Sequence, residues 1–183
     1  MFERYTERAR RVIFFARYEA SNYGSTTIET EHLLLGVTRD DAGLIRRFLP
    51  NTRPEEVRGK VDSHVTKREK VPTSADLPLT DECKRILAYA NEEAERLAHR
   101  HIGTEHILLG ILREKGCLAA RVLVEFGMNL DAVRDGLAKS PWESGRSIEE
   151  QFPTADRASV HALVDRLPES ALGRAHFMLE QLI

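Results

Sequence analysis

The most constraining feature of this sequence is a short segment that occurs twice. Residues 28–36 read Ile-Glu-Thr-Glu-His-Leu-Leu-Leu-Gly, and residues 102–110 read Ile-Gly-Thr-Glu-His-Ile-Leu-Leu-Gly. The offset of 74 residues aligns the chain without a gap from Thr6 with Thr80 to Leu49 with Leu123. Because a repeat at a fixed spacing indicates two copies of one structural unit, a duplicated module is expected. Identical pairs include Arg11/Arg85, Ala16/Ala90, Glu19/Glu93, Ala20/Ala94, Arg39/Arg113, Leu44/Leu118 and Arg47/Arg121.

The first helix of the first copy can be placed from its ends and its apolar period. Thr6 supplies a hydroxyl that caps a helix start, and apolar residues follow at helical spacing. Gly24 is predicted to end this helix, because glycine accepts the left-handed conformation common after a helix. Phe14 and Phe15 are expected to broaden its buried face.

Three shorter helices are predicted to complete each copy. In the first copy, Thr30 is expected to cap the second helix, and a third helix spans 40–49 before Pro50. Pro54 suits the first position of a fourth helix, since proline has no N–H to donate there. In the second copy Thr80 caps the long helix, and the others are predicted at 104–114, 118–126 and 130–137.

These patterns predict an all-α protein made of two four-helix repeats related by pseudo-two-fold symmetry, followed by a C-terminal helical tail. Repeat one covers 1–65 and repeat two 79–138, so the double repeat covers 1–138, with a linker over 66–78. Residues 139–155 are predicted to be a second linker, and 156–183 a helical hairpin with apolar stripes. The sequence leaves open whether the tail packs on the repeats or dimerises, and hence the oligomeric state.

Composition argues against several classes of function. The net charge is only −2, whereas nucleic-acid binding favours a strongly basic surface. No apolar run is long enough to span a bilayer, and the first residues do not resemble a secretory signal, so neither a membrane nor secretion is predicted. Cys83 and Cys117 lack a CxxC spacing, which favours a reducing compartment. The predicted location is the cytoplasm.

The sequence contains no pattern that predicts catalysis or a cofactor. A GxxxxGK[ST] phosphate-binding loop is absent, as is a Gly-x-Ser-x-Gly nucleophile motif, so the protein is not expected to be an enzyme.

The histidines do not predict a metal site. His32 and His106 each follow a glutamate, but adjacent helical residues point about 100° apart and cannot focus on one ion. They are predicted to be buried or capping residues. His99 and His101 form an HxH pattern with no third ligand at a recognisable spacing.

The duplicated Thr-Glu-His-(Leu/Ile)-Leu-Leu-Gly segment, together with Thr6-Glu7-Arg8-Ala9-Arg10, resembles the double-repeat N-terminal domain of Clp-type ATP-dependent unfoldases, most closely the ClpC branch. The resemblance covers about residues 1–138. It implies an all-helical, non-catalytic recognition module that receives protein substrates or adaptors for a Clp ATPase or protease. The missing phosphate-binding loop implies a stand-alone domain without ATPase modules, or a piece of a longer chain. A small-molecule or modified-amino-acid sensor that uses the repeat groove is the alternative.

The resemblance also implies two ligand sites. In the ClpC branch the glutamate of this motif binds the guanidinium of phosphorylated arginine, and by position this role falls on Glu31 and Glu105. The helix starts at Thr6 and Thr80 offer free N–H groups for the phosphate. The alternative is that each glutamate only stabilises its helix start, by roughly 0.3–1 kcal/mol. Glu29 replaces the glycine of the second copy, so the first site is expected to be the weaker.

Overall fold

The computed structural model describes residues 3–72 and 76–142, and these residues form eight α-helices with no β-strand. The prediction of an all-α protein with two four-helix repeats is therefore confirmed. The predicted second linker beyond residue 142 and the predicted tail at 156–183 lie outside the described residues. The helices of the first repeat are α1 (Glu7–Tyr23), α2 (Thr30–Asp40), α3 (Ala42–Phe48) and α4 (Pro54–Asp62); those of the second are α5 (Asp81–Arg96), α6 (Thr104–Arg113), α7 (Leu118–Glu125) and α8 (Leu130–Lys139).

The duplicated segment forms the two central helices, α2 and α6. The side chains over 33–35 and 107–109 are fully buried, and every residue from Thr30 to Thr38 is buried. A helix that is buried on all sides belongs to the middle of a core. Helix α1 packs against α2, α5 packs against α6, and α2 also contacts α5, α6 and α7. The two repeats thus share one core.

The predicted caps of the two long helices are confirmed. The Thr6 side chain accepts the backbone N–H of Ala9 at 3.2 Å, and Thr80 accepts that of Cys83 at 3.4 Å. Gly24 follows α1 with φ +70°, a left-handed conformation that favours glycine. These three residues fix where the long helices start and where the first one ends.

The prediction that Thr30 caps the second helix was wrong, because Thr30 is the first residue of α2, as Thr104 is of α6. The capping positions belong to Glu29 and Gly103. The backbone N–H of Glu29 donates to Nδ1 of His32 at 3.0 Å, and that of Gly103 donates to Nδ1 of His106 at 2.8 Å. The histidine of the motif thus takes the place that Glu or Gln holds in an ordinary capping box.

Two further predictions for the first repeat require correction. Phe14 is 64% exposed and Phe15 is only partly buried, because the inner face of α1 is formed by smaller side chains such as Ala16 and Ala20. The third helix begins at Ala42 rather than at residue 40. Asp41 ends the preceding helix and caps the next one, accepting the N–H of Leu44 at 3.3 Å.

A buried carboxylate in each repeat binds two arginines from different helices. Glu19 on α1 is 2% exposed and accepts a bidentate contact from Arg58 on α4 at 2.8 and 2.9 Å, and another from Arg39 on α2 at 3.3 Å. Burial by itself raises the pKa of Glu19, but the hydrogen bonds and charges of the two arginines outweigh it and lower the pKa. We call these three residues the Glu19 cluster. Glu93, Arg113 and Arg134 form the equivalent Glu93 cluster.

Candidate functional site

Backbone hydrogen bonds join the two repeats. They link the segments that precede α1 and α6, and the segments that precede α2 and α5. The backbone N–H of Thr6 donates to Ile102 at 2.9 Å, and the N–H of Ile102 donates to Arg4 at 2.8 Å. On the other side, Thr80 donates to Ile28 at 3.1 Å, and Ile28 donates to Pro78 at 2.8 Å. The start of α1 therefore lies beside the second copy of the motif, and the start of α5 lies beside the first.

This crossing determines which predicted site residues come together. Glu31 and Thr80 line one open pocket of about 610 Å³, although they belong to different repeats. By the same symmetry Thr6 lies on the side of Glu105. Each candidate site is thus a composite of both repeats.

The pocket that contains Glu31 is rich in carboxylates. Glu31 is 5% exposed and accepts a hydrogen bond from the hydroxyl of Thr30 at 3.2 Å. Burial raises the pKa of Glu31, and the nearby Glu29 carboxylate raises it further. Glu29, Glu82 and Glu114 also line the pocket. Such a pocket attracts the guanidinium of a ligand more strongly than its phosphate.

The Glu105 side differs because Gly103 has no side chain. A Cβ at Gly103 would lie 2.2 Å from Oε2 of Glu105, closer than real Cβ atoms approach. The carboxylate of Glu105 therefore lies directly against the Gly103 backbone. In the first repeat the Glu29 side chain is present at this position, and its Oε1 accepts a hydrogen bond from Ser25 at 3.1 Å.

An arginine lies at the start of α1, on the side of the second site. Arg8, at the start of α1, has the repeat position that Glu82 has in α5. Its guanidinium lies 3.6 Å from Asp41 and 3.7 Å from Asp40. The Thr104 hydroxyl, next to Glu105 in sequence, donates to the same Asp41 at 2.5 Å. This side thus has an arginine, paired with two aspartates, where the first pocket has Glu82.

Comparison with known proteins agrees with this architecture. A family model described as the Clp repeat (R) N-terminal domain matches residues 4–126 and 79–159. The chain belongs to this family.

Several longer proteins are similar to this chain. The chain is 37% identical over 136 residues to ClpC/MecB, the negative regulator of genetic competence of Bacillus subtilis, a match that covers 73% of this chain and 16% of that protein. It is 38% identical over 169 residues to the chaperone ClpB of Oceanobacillus iheyensis, covering 85% and 20% respectively. The chain thus spans about a fifth or less of the length of these relatives.

Solved structures show the same fold. The N-terminal domain of ClpD from Arabidopsis thaliana has a TM-score of 0.62 and 31% identity, covering 76% of this chain and 98% of that one. The Hsp104 N-terminal domain of Candida albicans has a TM-score of 0.60 at 20% identity, covering 79% and 95%. Among the described residues, no helix of this Clp domain is long and apolar enough to cross a membrane.

The motif histidines are buried and neutral in both Clp repeats. Burial is the main cause that lowers the pKa of His32 and of His106 to about 4. His106 accepts the Gly103 N–H on Nδ1, so its proton is on Nε2, which lies 2.9 Å from Nδ1 of His99. The interpretation as buried, capping residues thus agrees with the structure.

The described residues place one group of potential metal ligands together, His99, Glu105 and His106, with atoms within 4.8 Å of one another. Metal binding requires an imidazole nitrogen with a free lone pair. In His106 one nitrogen accepts a backbone N–H and the other carries the proton that faces His99. The group therefore fits a hydrogen-bond chain better than a metal site.

The two thiols are not arranged for reactivity. Cys83 and Cys117 are both buried and unpaired. Burial raises the pKa of Cys83 to about 12 and also raises the pKa of Cys117, so neither thiol forms a reactive thiolate at neutral pH. Cys83 lies in the hydrophobic core, at the repeat position that Ala9 has in the first copy.

Proposed function

We propose that this Clp domain is a non-catalytic protein-recognition module whose two composite pockets each bind a phosphorylated arginine. The observation that supports it most is the crossed arrangement, which puts a buried carboxylate beside the start of a long helix from the other repeat. A guanidinium suits the carboxylate, and a phosphate suits the free N–H groups of the helix start. Glu31 acts with Thr80, and Glu105 acts with Thr6.

The partners in this proposal are protein substrates or adaptors of a Clp ATPase or protease, in the cytoplasm. Family membership supports the association with Clp machines, and the two reduced, buried thiols are compatible with that compartment. Titration calorimetry with an arginine-phosphorylated peptide tests the proposal against the same peptide unphosphorylated. Binding of the phosphorylated peptide alone is the expected result, and equal binding of both peptides would contradict it. Comparison with free phosphoarginine separates protein recognition from sensing of a modified amino acid.

We expect Glu105→Ala to weaken phosphoarginine binding more than Glu31→Ala. A charge-assisted pair contributes about 1.5–3 kcal/mol, or roughly one to two decades in affinity. At the start of α1 the second site has Arg8, whereas the first site has the carboxylates Glu29 and Glu82. Calorimetry on the wild type, both single variants and the double variant measures the order.

A matched control is Glu95→Ala, which removes a 58% exposed glutamate side chain on α5. This variant is expected to bind like the wild type, and circular dichroism should show all variants folded. If both pocket substitutions leave binding unchanged, these glutamates serve only their helix starts.

A further inference from the structure

A groove between α2, α3 and α4 has an equivalent in the second repeat, and the two copies differ in chemistry. The first groove encloses about 430 Å³ and the second about 520 Å³. Residues at equivalent repeat positions line both. The pairs are Thr38/Leu112, Arg46/Ala120, Pro54/Leu130 and Glu55/Asp131.

The first groove carries an excess of positive charge. Arg39 and Arg58 line it and share the single carboxylate of Glu19. Arg46, also in the lining, is exposed on α3 and makes no ion pair or hydrogen bond with the described residues. Among the described residues that line the groove, Glu55 is the one acidic side chain. Three guanidinium groups thus face two carboxylates.

The corresponding arginines of the second repeat are neutralised more fully. Arg113 contacts Glu92 at 2.6 Å as well as Glu93, and Arg134 contacts Asp131 at 3.2 Å as well as Glu93. The first repeat has Tyr18 at the position of Glu92 and Arg46 at the position of Ala120. The positive excess therefore belongs to the first repeat alone.

Aromatic side chains lie next to this basic groove. The guanidinium of Arg39 stacks on the rings of Phe15 and Tyr18, 4.7 Å from each centroid. Phe14, 64% exposed, contacts Phe15 with ring centroids 5.7 Å apart. Stacking orients the guanidinium of Arg39. A side chain that is already oriented loses less conformational entropy when it binds a carboxylate. An exposed aromatic ring beside it offers a surface for an apolar side chain.

We infer that the first-repeat groove, formed by Arg39, Arg46 and Arg58 beside Phe14 and Phe15, binds an acidic peptide segment of a partner protein. Carboxylates of the segment pair with Arg46 and Arg39, and an apolar side chain packs on Phe14. This ligand is opposite in charge to the cation that the Glu31 pocket attracts, so the groove is a second kind of site. It does not depend on phosphoarginine binding.

The test uses a fluorescein-labelled peptide of alternating glutamate and leucine, with a glutamine–leucine peptide as the uncharged counterpart. Fluorescence anisotropy should show binding of the acidic peptide alone. Arg46→Ala, which installs the residue of the second repeat, should weaken binding about tenfold or more, because an exposed side chain without a partner is lost and the fold is kept.

Arg121→Ala is the matched control, since it removes an equal charge from the second groove. It should reduce the affinity by less than about twofold, as expected for a distant charge that is screened by salt. Equal binding of both peptides, equal affinity of Arg46→Ala and wild type, or an equal loss in Arg121→Ala would each overturn the inference.

Discussion

We expect Gly36→Ala to destabilise the domain by about 3 kcal/mol, the upper end for overpacking a core. A Cβ at Gly36 would lie 2.4 Å from the backbone oxygen of Val12 and 3.1 Å from the backbone nitrogen of Ala16. Both contacts are backbone atoms of α1, so no side-chain rotation relieves them and the two helices must separate. A Cβ at Gly110 would likewise lie 2.4 Å from the backbone oxygen of Ile86, so Gly110→Ala should destabilise the domain to a similar extent.

Gly59 provides the control for this prediction. It lies inside α4, and among the described residues no atom beyond its own helical turn and neighbours lies within 4 Å of the position that a Cβ would take. Gly59→Ala should therefore stabilise the protein by about 0.5–1 kcal/mol, because alanine favours a helix more than glycine does. Urea unfolding of the three variants measures the change in the free energy of unfolding, which should be a loss for Gly36→Ala and Gly110→Ala and a gain for Gly59→Ala. A Gly36→Ala variant as stable as the wild type would contradict the tight packing of α1 on α2.

The second large effect is expected for Arg58→Ala, which should cost about 2–3 kcal/mol at neutral pH. The substitution removes both bidentate contacts to Glu19 and leaves a carboxylate that is 2% exposed with Arg39 alone. An incompletely paired buried charge is costly. Lys84→Ala breaks an exposed pair with Asp81 and should change stability by less than about 0.5 kcal/mol.

The loss in Arg58→Ala should also depend on pH. In the wild type the pKa of Glu19 lies below its ordinary value of 4.5, so its contribution to stability is present above that pH and lost as pH falls through the folded pKa. Without Arg58 two of the causes that lower the pKa of Glu19 are lost, so this pKa should rise and protonation of the carboxyl should cost the variant less stability than it costs the wild type. The difference in unfolding free energy should narrow between about pH 7 and pH 4. A constant difference would show that the loss does not come from Glu19.

Much of the fold could be predicted because the repeat supplies two independent copies of each local signal. The caps Thr6 and Thr80, the end at Gly24 and the start at Pro54 are all local features of the chain, and the structure has them where the sequence indicates. The prediction for Phe14 was wrong because a helical period identifies the buried face but not how far it extends.

Which residues together form each candidate site was harder to predict from the sequence. Alignment of the copies pairs Glu31 with Glu105 and Thr6 with Thr80, but it contains no information about which copy contacts which. The crossed arrangement depends on the backbone hydrogen bonds of Thr6 with Ile102 and of Thr80 with Ile28. These bonds join residues far apart in the sequence, and no residue type indicates them. The role of the motif histidine as a cap was likewise open, since it depends on the orientation of Nδ1.

The crossed sites are tested most directly by two-dimensional ¹⁵N NMR of the wild type and of Glu105→Ala, each titrated with phosphoarginine. The wild type should show shifted amide signals at the start of α1, from Glu7 and Arg8, and at the start of α5, from Asp81 and Glu82. In Glu105→Ala the α1 signals should no longer shift, while the α5 signals should still do so, because Glu105 acts with Thr6 of the other repeat. Loss of the α5 shifts with retention of the α1 shifts would contradict the crossed arrangement.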